Sequence, residues 1–554
     1  MKAPAPPLTQ FTPKIVSVLA EGYGPRALRA DLVAGLTVAV VALPLSLAIA
    51  IASGVPPDRG LITAIVGGFL VSLLGGSRFQ IGGPAGAFIV LVAATVQRHG
   101  LDGLALATFL SGIMLAAAGA LRLGGFVKFI PYPVTVGFTA GIGLIILISQ
   151  MRPFLGLTLD GPEPGPFVEK LPVLWAALPT LSPLNLALGL GAFGFIAVQR
   201  RLAPRLPGML AAIALAGLTV WALDLPVPTI GSAYGGIAAG LPAPSLPDVS
   251  WAKVQAVLPD ALAFTLLGAI ESLLSAVVAD SMTGRRHRSN AELIGQGVAN
   301  MASACFGGFC VTGTIARTAT NVRAGAHGPV AGMIHALALL AVVLLLAPLA
   351  SAIPLAALAG VLVSVALHMI DLGAIRTLAR TARAELVVLL ATLAMTVLRD
   401  LTEAIVTGLA LGALVFMHRM AQMSGVDAML DEADTDSRPE DRGEGRQTVV
   451  LRLTGAYFFG SAPVIESVLD RIAARPRHLI LDLADVPLLD VTGAHSLAGF
   501  VRKALGQGMA VTLAAPRPQH MDMLKAAGLP AAAATAADMQ AARARADVRP
   551  GKGV

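Results

Sequence analysis

Two charged side chains lie inside long apolar stretches of this chain, where a charge is costly. Glu271 stands at the centre of ALAFTLLGAIESLLSAVVAD, and Arg317 stands within TGTIARTATNV. A charged side chain at the middle of a bilayer costs roughly 2.5–3.5 kcal/mol on insertion scales, so its presence indicates a function. Glu271 could carry a proton or bind Na⁺, with Ser272 and Ser275 as oxygen ligands. The alternatives are a carboxylate that only braces helices and serines that bond back to their own helix.

Arg317 is predicted to lie in the first turn of a short helix, beside a helix end that is already electropositive. Its planar guanidinium group suits a bound carboxylate or oxoanion. It could instead be the ion-pair partner of Glu271, with a purely structural role. Ser46, which follows Pro44 in an earlier apolar stretch, offers a hydroxyl group to the same region.

Arg317 follows a break in the hydrophobic pattern that occurs twice in the chain. The runs SRFQIGGPAGAFIVLVAATV (77–96) and GGFCVTGTIARTATNV (307–322) each begin polar and glycine-rich, then become apolar for too few residues to cross a bilayer. Gly83 and Gly313 occupy the same step of the pattern. Interrupted hydrophobic segments at matching places in two halves indicate the binding site of a transporter. The helix that follows each break offers free N–H groups to an anion.

The composition is that of a polytopic membrane protein. Of the 554 residues, 55% are hydrophobic and 13% are charged, whereas about a quarter are charged in a soluble protein. Windows of ~20 apolar residues predict about fourteen spans, several of them short. The predicted spans lie at residues 31–50, 60–75, 84–97, 101–121, 131–149, 183–198, 208–224, 259–279, 291–306, 314–322, 328–349, 355–369, 385–398 and 402–417.

The spans divide into two halves of seven, at about 31–224 and 259–417, inside a transmembrane domain at 31–420. Because seven is odd, the second half must be inverted relative to the first. If the preceding segment, 1–30, is cytoplasmic, the inner loops hold about sixteen Lys and Arg and the outer loops about six. Both termini are therefore expected in the cytoplasm, and residues 1–30 contain no cleavable signal.

The composition changes after the last span. Residues 421–447 are acidic and polar, which predicts a linker. Residues 448–545 alternate strand and helix patterns, which predicts a small α/β domain with a parallel sheet. The alanine-rich tail after Pro530 is expected to be a weak helix or disordered.

Several function classes are excluded. The sequence contains no nucleophile–base or metal-ligand constellation, so neither an enzyme nor a metal site is expected, and no cofactor beyond the coupling H⁺ or Na⁺. Cys305 and Cys310 are interpreted as small core residues, and His335 as a packing residue. The net charge of +7 is attributed to cytoplasmic loops and not to a nucleic-acid partner.

Five segments together resemble the SulP anion permeases, the prokaryotic relatives of solute carrier family 26, over about residues 15–530. They are DLVAGLTVAVVALPLSLAIASG, GGSRFQIGGPAGAF, LGAIESLLSAVVAD, NAELIGQGVAN and TGTIARTATNVRAGA. The C-terminal part resembles the STAS domain that ends these permeases. The resemblance implies seven plus seven inverted spans, a core domain that moves against a gate domain, and a homodimer in the bacterial inner membrane with the STAS domains in the cytoplasm.

The resemblance also implies the positions of the site. The coupling carboxylate falls on Glu271. The anion-binding residues fall on Gly83, Pro84, Ala85, Gly86, Gly313, Thr314, Ile315, Ala316 and Arg317.

The pocket is expected to be wider than in many animal members of the family. Those often carry bulkier or more polar residues where this chain has Leu45, Ala85 and Ala316. The chain resembles the bacterial branch that includes the C4-dicarboxylate transporter. Sulfate, bicarbonate and C4-dicarboxylates all remain open as the transported anion.

Two other functions remain open. Nucleobase permeases share the architecture, although Arg317 in the tenth span favours an anion. The chain could also be a membrane-anchored signalling module whose STAS domain binds a cytoplasmic partner. In STAS domains of the anti-sigma-antagonist type a phosphorylated residue follows an Asp at a strand–helix turn, and Thr492 has that position. The alternative is that Thr492 only caps the helix.

Overall fold

The computed structural model separates the chain into two compact units, Met1–Leu409 and Ala410–Val554. The residues that it describes are 9–125, 131–161, 163–164, 167–203, 208–399, 401–423, 425–430, 448–458 and 476–547.

Helices make up the first unit in its described residues. They are α1 (Lys14–Ala20), α2 (Pro25–Ala52), α3 (Pro57–Ile62), α4 (Gly68–Leu74), α5 (Ile89–Ala120), α6 (Tyr132–Ser149), α7 (Met151–Leu155), α8 (Phe167–Ala176), α9 (Pro183–Leu202), α10 (Gly208–Ala222), α11 (Ile230–Tyr234), α12 (Trp251–Thr283), α13 (Ser289–Cys305), α14 (Ile315–Arg323), α15 (Val330–Ser351), α16 (Leu355–Met369), α17 (Leu372–Thr381), α18 (Arg383–Leu398) and α19 (Leu401–Gln422), the last of which ends in the second unit. Two short strands, β1 (Gly82–Gly83) and β2 (Thr312–Gly313), complete the unit.

Each of the fourteen predicted spans falls on a helix. A π-helical turn at Thr63–Gly67 joins α3 and α4 into one span, while α5 contains two spans that meet at Gly100. The backbone at Gly100 has φ of +68°, a conformation that glycine adopts without a Cβ clash and that breaks the helix. In the described part of the chain, eight helical stretches are long and apolar enough to cross a membrane by themselves. The prediction of a polytopic helical membrane protein is confirmed.

The spans pack in two groups. In the first, or core, group α13 packs on α4 and α5, α12 packs on α5 and α14, and α15 packs on α2. In the second, or gate, group α18 packs on α6, and α16 packs on α6 and α9. Small residues allow the close crossings: a Cβ on Gly297 of α13 would lie 2.5 Å from the carbonyl oxygen of Gly112 in α5. Such contacts hold membrane helices together where no hydrophobic effect operates between them.

The N-terminal segment contains a helix, α1, which precedes α2 and packs on α4. The Lys14 N–H donates to the carbonyl of Gly75 at 2.9 Å. Glu21 pairs with Arg78, whose hydrogen bond holds the pKa of the Glu21 carboxyl below its usual range. The segment is therefore tied to residues that lead directly into the first break.

The second unit contains a five-stranded sheet in the order β3 (Gly425–Leu430), β4 (Thr448–Thr454), β5 (His478–Asp482), β6 (Ala510–Ala514) and β7 (Ala534–Ala536). β4 to β7 are parallel, as predicted, and β3 is an antiparallel edge strand. Its described helices are α20 (Val491–Gly506), α21 (Pro518–Ala526) and α22 (Met539–Asp547).

One expectation for this unit is wrong, and another is only partly confirmed, since the tail contains a helix and also a strand. The sequence predicts a linker at 421–447, but residues 425–430 form a strand that pairs with residues 449–454 of β4. The tail after Pro530 contains β7 and α22, and Ala536 and Ala542 are buried in a small cluster with Ile480. Alanine has little β-preference alone, and it is the open edge of β6 that makes a strand there. The helix predicted near PVIESVLDRIAA lies outside the described residues.

Candidate functional site

The two broken segments meet and pair with each other. β1 and β2 run antiparallel, with Gly82 opposite Gly313 and Gly83 opposite Thr312. A 3₁₀ turn at Gly86–Phe88 then leads into α5, and α14 begins at Ile315. We call this pair of strands, Gly82–Gly83 with Thr312–Gly313, the crossing. Because the strands are antiparallel, the chain continues from the crossing in opposite directions after β1 and after β2. The first part of α5 and α14 therefore both have their N-terminal ends at the crossing. The free N–H groups of these ends are available there.

Glycine is required at the crossing because side chains fill the space around it. A Cβ on Gly313 would lie 1.6 Å from Nε2 of Gln80, and a Cβ on Gly83 would lie 2.2 Å from Nη1 of Arg317. Both distances are far inside van der Waals contact. The glycines thus give the Gln80 amide and the Arg317 guanidinium their places against the backbone.

We expect Gly313→Ala to cost more than about 3 kcal/mol of stability, because overpacking a rigid site usually costs 1–3 kcal/mol and this overlap is severe. Gln80→Ala in the same chain should restore much of the loss. The apparent unfolding temperature in detergent measures both. Gly191→Ala is the matched control, since a Cβ there meets nothing within 4 Å. A double variant no more stable than Gly313→Ala would contradict the steric explanation.

Three polar side chains on one face of α13 hold the broken segments in place. Glu292, Gln296 and Asn300 are spaced four residues apart, which places them in a row along the helix. Glu292 Oε2 accepts a 2.8 Å hydrogen bond from the Ser77 N–H. Gln296 Nε2 donates to the carbonyl of Val311. This polar row satisfies backbone groups that the breaks leave without helical partners, as an irregular backbone in a membrane requires.

Asn300, the third residue of the polar row, makes two hydrogen bonds to the backbone of Val311. Its Oδ1 accepts from the Val311 N–H at 2.9 Å, and its Nδ2 donates to the Val311 carbonyl at 2.9 Å. Asn300 is 2% exposed. We expect Asn300→Leu to lower stability by about 1–3 kcal/mol, measured as a lower unfolding temperature, because it leaves the Val311 N–H unpaired while Gln296 still donates to the Val311 carbonyl. Met301→Leu, the next residue, should change little. Equal stabilities would contradict the role of the row.

Arg317 lies at the centre of the crossing and is fully buried. Its Nη2 donates to Ser46 Oγ at 3.0 Å and to the Pro84 carbonyl at 3.3 Å. Ser46 therefore faces this region, as its position after Pro44 predicts. Nε and Nη1 have no hydrogen-bond partner among the described residues. The guanidinium group is thus fixed on one side and has three N–H bonds left for other partners.

Glu271 lies beside the same crossing. Gly268, one turn before it, accepts from Thr312 Oγ1 at 3.3 Å, and Ser275, one turn after it, donates to Thr318 Oγ1 at 3.0 Å. Residues spaced in this way share one face of α12, so Glu271 faces β2 and α14. It is 8% exposed and forms no hydrogen bond or ion pair among the described residues.

Glu271 and Arg317 therefore do not form an ion pair in this structure. The interpretation of Arg317 as the structural partner of Glu271 does not agree with this geometry. The serines beside Glu271 do not bond back to their own helix either. Ser272 Oγ accepts from Gln80 Nε2 at 2.8 Å and donates toward Glu292 Oε1 at 3.2 Å. Both serines brace the crossing, which leaves Glu271 as the carboxylate without a partner there.

The remaining residues implied by the resemblance surround the crossing in different ways. Ala85 and Thr314 are 7% exposed, whereas Ile315 is 36% exposed at the start of α14 and Ala316 is exposed beside it. A Cβ on Gly86 would lie 3.4 Å from Ile146 Cδ1 and 3.7 Å from Met369 Sδ. Ile146 belongs to α6 and Met369 to α16, so the site residues of the core group face helices of the gate group.

The polar row on α13 and Gln80 were not predicted as site residues. The row could have been found, because Glu292, Gln296 and Asn300 repeat at i, i+4 and i+8 within NAELIGQGVAN. Gln80 has no such signal, since its role depends on Ser272 and Gly313, which are distant in sequence.

In the second unit, Thr492 does not cap α20. Asp490 is the N-cap, and its Oδ1 accepts from the Gly493 N–H at 2.7 Å. Thr492 lies in the first turn of the helix with its side chain exposed. The capping interpretation is wrong, and the phosphorylation of Thr492 stays a prediction.

In the described residues, the many membrane helices and the two paired breaks with a buried arginine have the form of an inverted-repeat anion transporter. Residues 28–392 match the sulfate permease family, and residues 440–542 match the STAS domain. The chain belongs to the sulfate permease family and ends in a STAS domain.

Relatives and solved structures agree with this assignment. The chain is 37% identical to the putative sulfate transporter YvdB of Bacillus subtilis, over 92% of this chain and 95% of that one. It is 32% identical to the bicarbonate transporter BicA of Picosynechococcus, over 87% of each chain. The transmembrane domain of a cyanobacterial BicA covers 69% of this chain, with 98% of its own length, a TM-score of 0.63 and 36% identity.

Murine Slc26a9 shares the fold over 99% of this chain and 96% of its own, with a TM-score of 0.84 at 18% identity. The family resemblance and the assignment to transporters, not enzymes, are confirmed. The proposed similarity to the C4-dicarboxylate branch stays a prediction.

Proposed function

We propose that this protein is a secondary active transporter of a small oxoanion, which binds between the N-terminal ends of α14 and the first part of α5. The observation that carries the proposal is the Arg317 guanidinium group, which is fully buried at the crossing with Nε and Nη1 unpaired among the described residues. A buried cation without a counter-charge is costly, and a bound anion removes that cost. The two helix N-termini add N–H donors and favourable dipoles.

Glu271 supplies the coupling in this proposal. The Glu271 carboxylate is unpaired and faces the anion site, so we expect it to bind a cation, either H⁺ or Na⁺, when the anion binds. The negative charge of Glu271 would otherwise oppose the entry of an anion beside it. The cation and the anion therefore favour each other's binding, which is what symport requires.

The division into core and gate groups supports alternating access. The anion site lies on core elements, and Gly86 lies against Ile146 of α6 and Met369 of α16. Movement of the gate helices past this contact would open the site to one side of the membrane or the other. The core carries Arg317, Glu271 and the polar row as one unit.

Sulfate and bicarbonate are the substrates that the named relatives support, as a putative sulfate transporter and a bicarbonate transporter. A compact oxoanion can take two N–H bonds of one guanidinium group while facing two helix ends. A C4-dicarboxylate is longer and carries a second charge away from Arg317, so we rank it third.

The test is uptake of labelled sulfate, bicarbonate and succinate into proteoliposomes under imposed pH and Na⁺ gradients, with labelled uracil as the neutral solute. We expect one oxoanion to accumulate, and only when one of the two gradients is present. Uracil uptake without anion uptake would overturn the proposal in favour of a nucleobase permease. Accumulation that neither gradient changes would overturn coupling.

We also propose a homodimer in a bacterial inner membrane with both termini in the cytoplasm and a regulatory STAS domain. The basic inner loops and the family membership support this arrangement. Single cysteines placed in the loops of a Cys305→Ser, Cys310→Ser chain, and labelled from one side of sealed vesicles, test the orientation. A chain that is truncated before residue 425, which removes every strand of the sheet, and that still transports at the full rate would leave the STAS domain free for a separate signalling role.

A further inference from the structure

His335 on α15 is a buried polar residue that the proposed transport cycle does not use. It is fully buried, and neither Nδ1 nor Nε2 has a hydrogen-bond partner among the described residues. The carbonyl of Gly332, one turn earlier on α15, approaches the ring without reaching hydrogen-bond geometry. A packing residue in this position needs no ring nitrogens, so the two unpaired nitrogens require a partner.

The imidazole ring lies near Arg317. Its Cε1 and the carbonyl oxygen of Gly82 both lie against Gly68, at 3.7 and 2.8 Å from the position of a Cβ there. Gly83, the next residue, lies against the Arg317 guanidinium group, 2.2 Å from Nη1 by the same measure. The ring and the guanidinium group therefore flank the same dipeptide of β1.

Ser72 adds a third unpaired group. Ser72 is 2% exposed, and its Oγ has no hydrogen-bond partner among the described residues. Ser72 lies one turn after Gly68 on α4, and a Cβ on Gly332 would lie 2.0 Å from its Oγ. Since Gly332 is one turn before His335, the hydroxyl group and the imidazole ring are neighbours across the contact of α4 and α15.

The three groups are complementary. Arg317 has N–H donors to spare, a neutral imidazole has an acceptor nitrogen, and a hydroxyl group can donate and accept. Buried waters in proteins typically join two to four polar groups that would otherwise be unpaired.

We propose that ordered water bridges Arg317 to His335 and Ser72, and that His335 is thereby a positioning residue for the guanidinium group. The water accepts from an Arg317 N–H and donates to an imidazole nitrogen. The remaining N–H bonds of Nε and Nη1 are left for the anion, so this inference rests on the proposed role of Arg317 in anion binding. A water-mediated bond of this kind orients a side chain nearly as well as a direct one.

The test compares His335→Phe, which keeps a ring without nitrogens, with His335→Gln, which keeps a polar side chain. We expect His335→Phe to raise the KM for the anion about tenfold with kcat nearly unchanged, and His335→Gln to stay near the wild-type value. Ser72→Ala should add little to His335→Phe, because both remove the same water. His520→Phe is the matched control, since it removes another buried histidine with an unpaired Nδ1 from the second unit.

Two outcomes would overturn the proposal. An unchanged KM in His335→Phe would do so, and so would equal losses in the Phe and Gln variants, which would make ring packing the cause. If His335→Phe does not fold, a cryo-EM map of the wild-type protein decides at a resolution that shows buried waters. Density within hydrogen-bond distance of both Arg317 and His335 supports the bridge, and its absence overturns it. Arg317→Gln tests the anion site separately, without altering His335 or Ser72.

Discussion

Arg317→Gln is expected to weaken anion binding about 30-fold or more and to abolish measurable uptake. Losing one partner of a buried, hydrogen-bonded charge pair costs about 2–5 kcal/mol, and each 1.4 kcal/mol is a factor of ten in affinity. Glutamine can still donate to Ser46 Oγ or the Pro84 carbonyl, the two groups that hold Arg317 now. The loss should therefore fall on the anion and not on the fold. Isothermal titration of the purified protein with the transported anion measures it.

Arg323→Gln provides the matched control. Arg323 is in the last turn of the same helix, α14, and its side chain is exposed. The Arg323→Gln variant should bind and transport the anion as the wild-type protein does. Arg317→Lys should recover part of the affinity, since it keeps the charge but not the planar set of donors. Wild-type affinity in Arg317→Gln would show that the anion binds elsewhere.

Glu271→Gln is expected to abolish gradient-driven accumulation while the protein still folds and binds the anion. The amide has nearly the shape of the carboxylate, so no cavity forms, and no hydrogen bond or ion pair among the described residues is lost. It cannot take up a proton or balance Na⁺, so the anion and the gradient are no longer linked. Uptake under imposed pH or Na⁺ gradients, compared with anion binding in detergent, measures the two effects separately. Accumulation with unchanged pH and Na⁺ dependence would refute the coupling role.

Glu292→Gln separates coupling from support. Glu292 is fully buried on the adjacent helix, but it accepts from the Ser77 N–H and from Ser272 Oγ. Hydrogen bonds to a charged acceptor contribute about 1.5–3 kcal/mol, and an amide replaces them only in part. We expect this variant to unfold at a lower temperature, and its folded fraction to keep the wild-type pH and Na⁺ dependence. If Glu292→Gln instead kept the wild-type unfolding temperature and lost the pH and Na⁺ dependence, Glu292 would be the coupling carboxylate and Glu271 the supporting one.

Features that depend on one local segment of the chain can be predicted from the sequence. A charge in an apolar run, a glycine-rich break before a short helix and a ~20-residue hydrophobic window are each contained in one segment. That is why the positions of Glu271, Arg317 and the spans follow from the sequence. The misread tail after Pro530 shows the limit, since its strand depends on an open sheet edge far away in sequence.

The sequence by itself predicted two breaks with an intramembrane arginine and glutamate, which favour an anion transporter over a nucleobase permease. Only the tertiary structure decided which groups these charges face. Arg317 donates hydrogen bonds to Ser46 Oγ and to the Pro84 carbonyl, more than two hundred residues earlier, and does not pair with Glu271. The physical reason is that pairing depends on the register of helices that are distant in the chain. A hydrogen bond requires atoms within about 3 Å, and residue types and their spacing along one helix do not specify that distance.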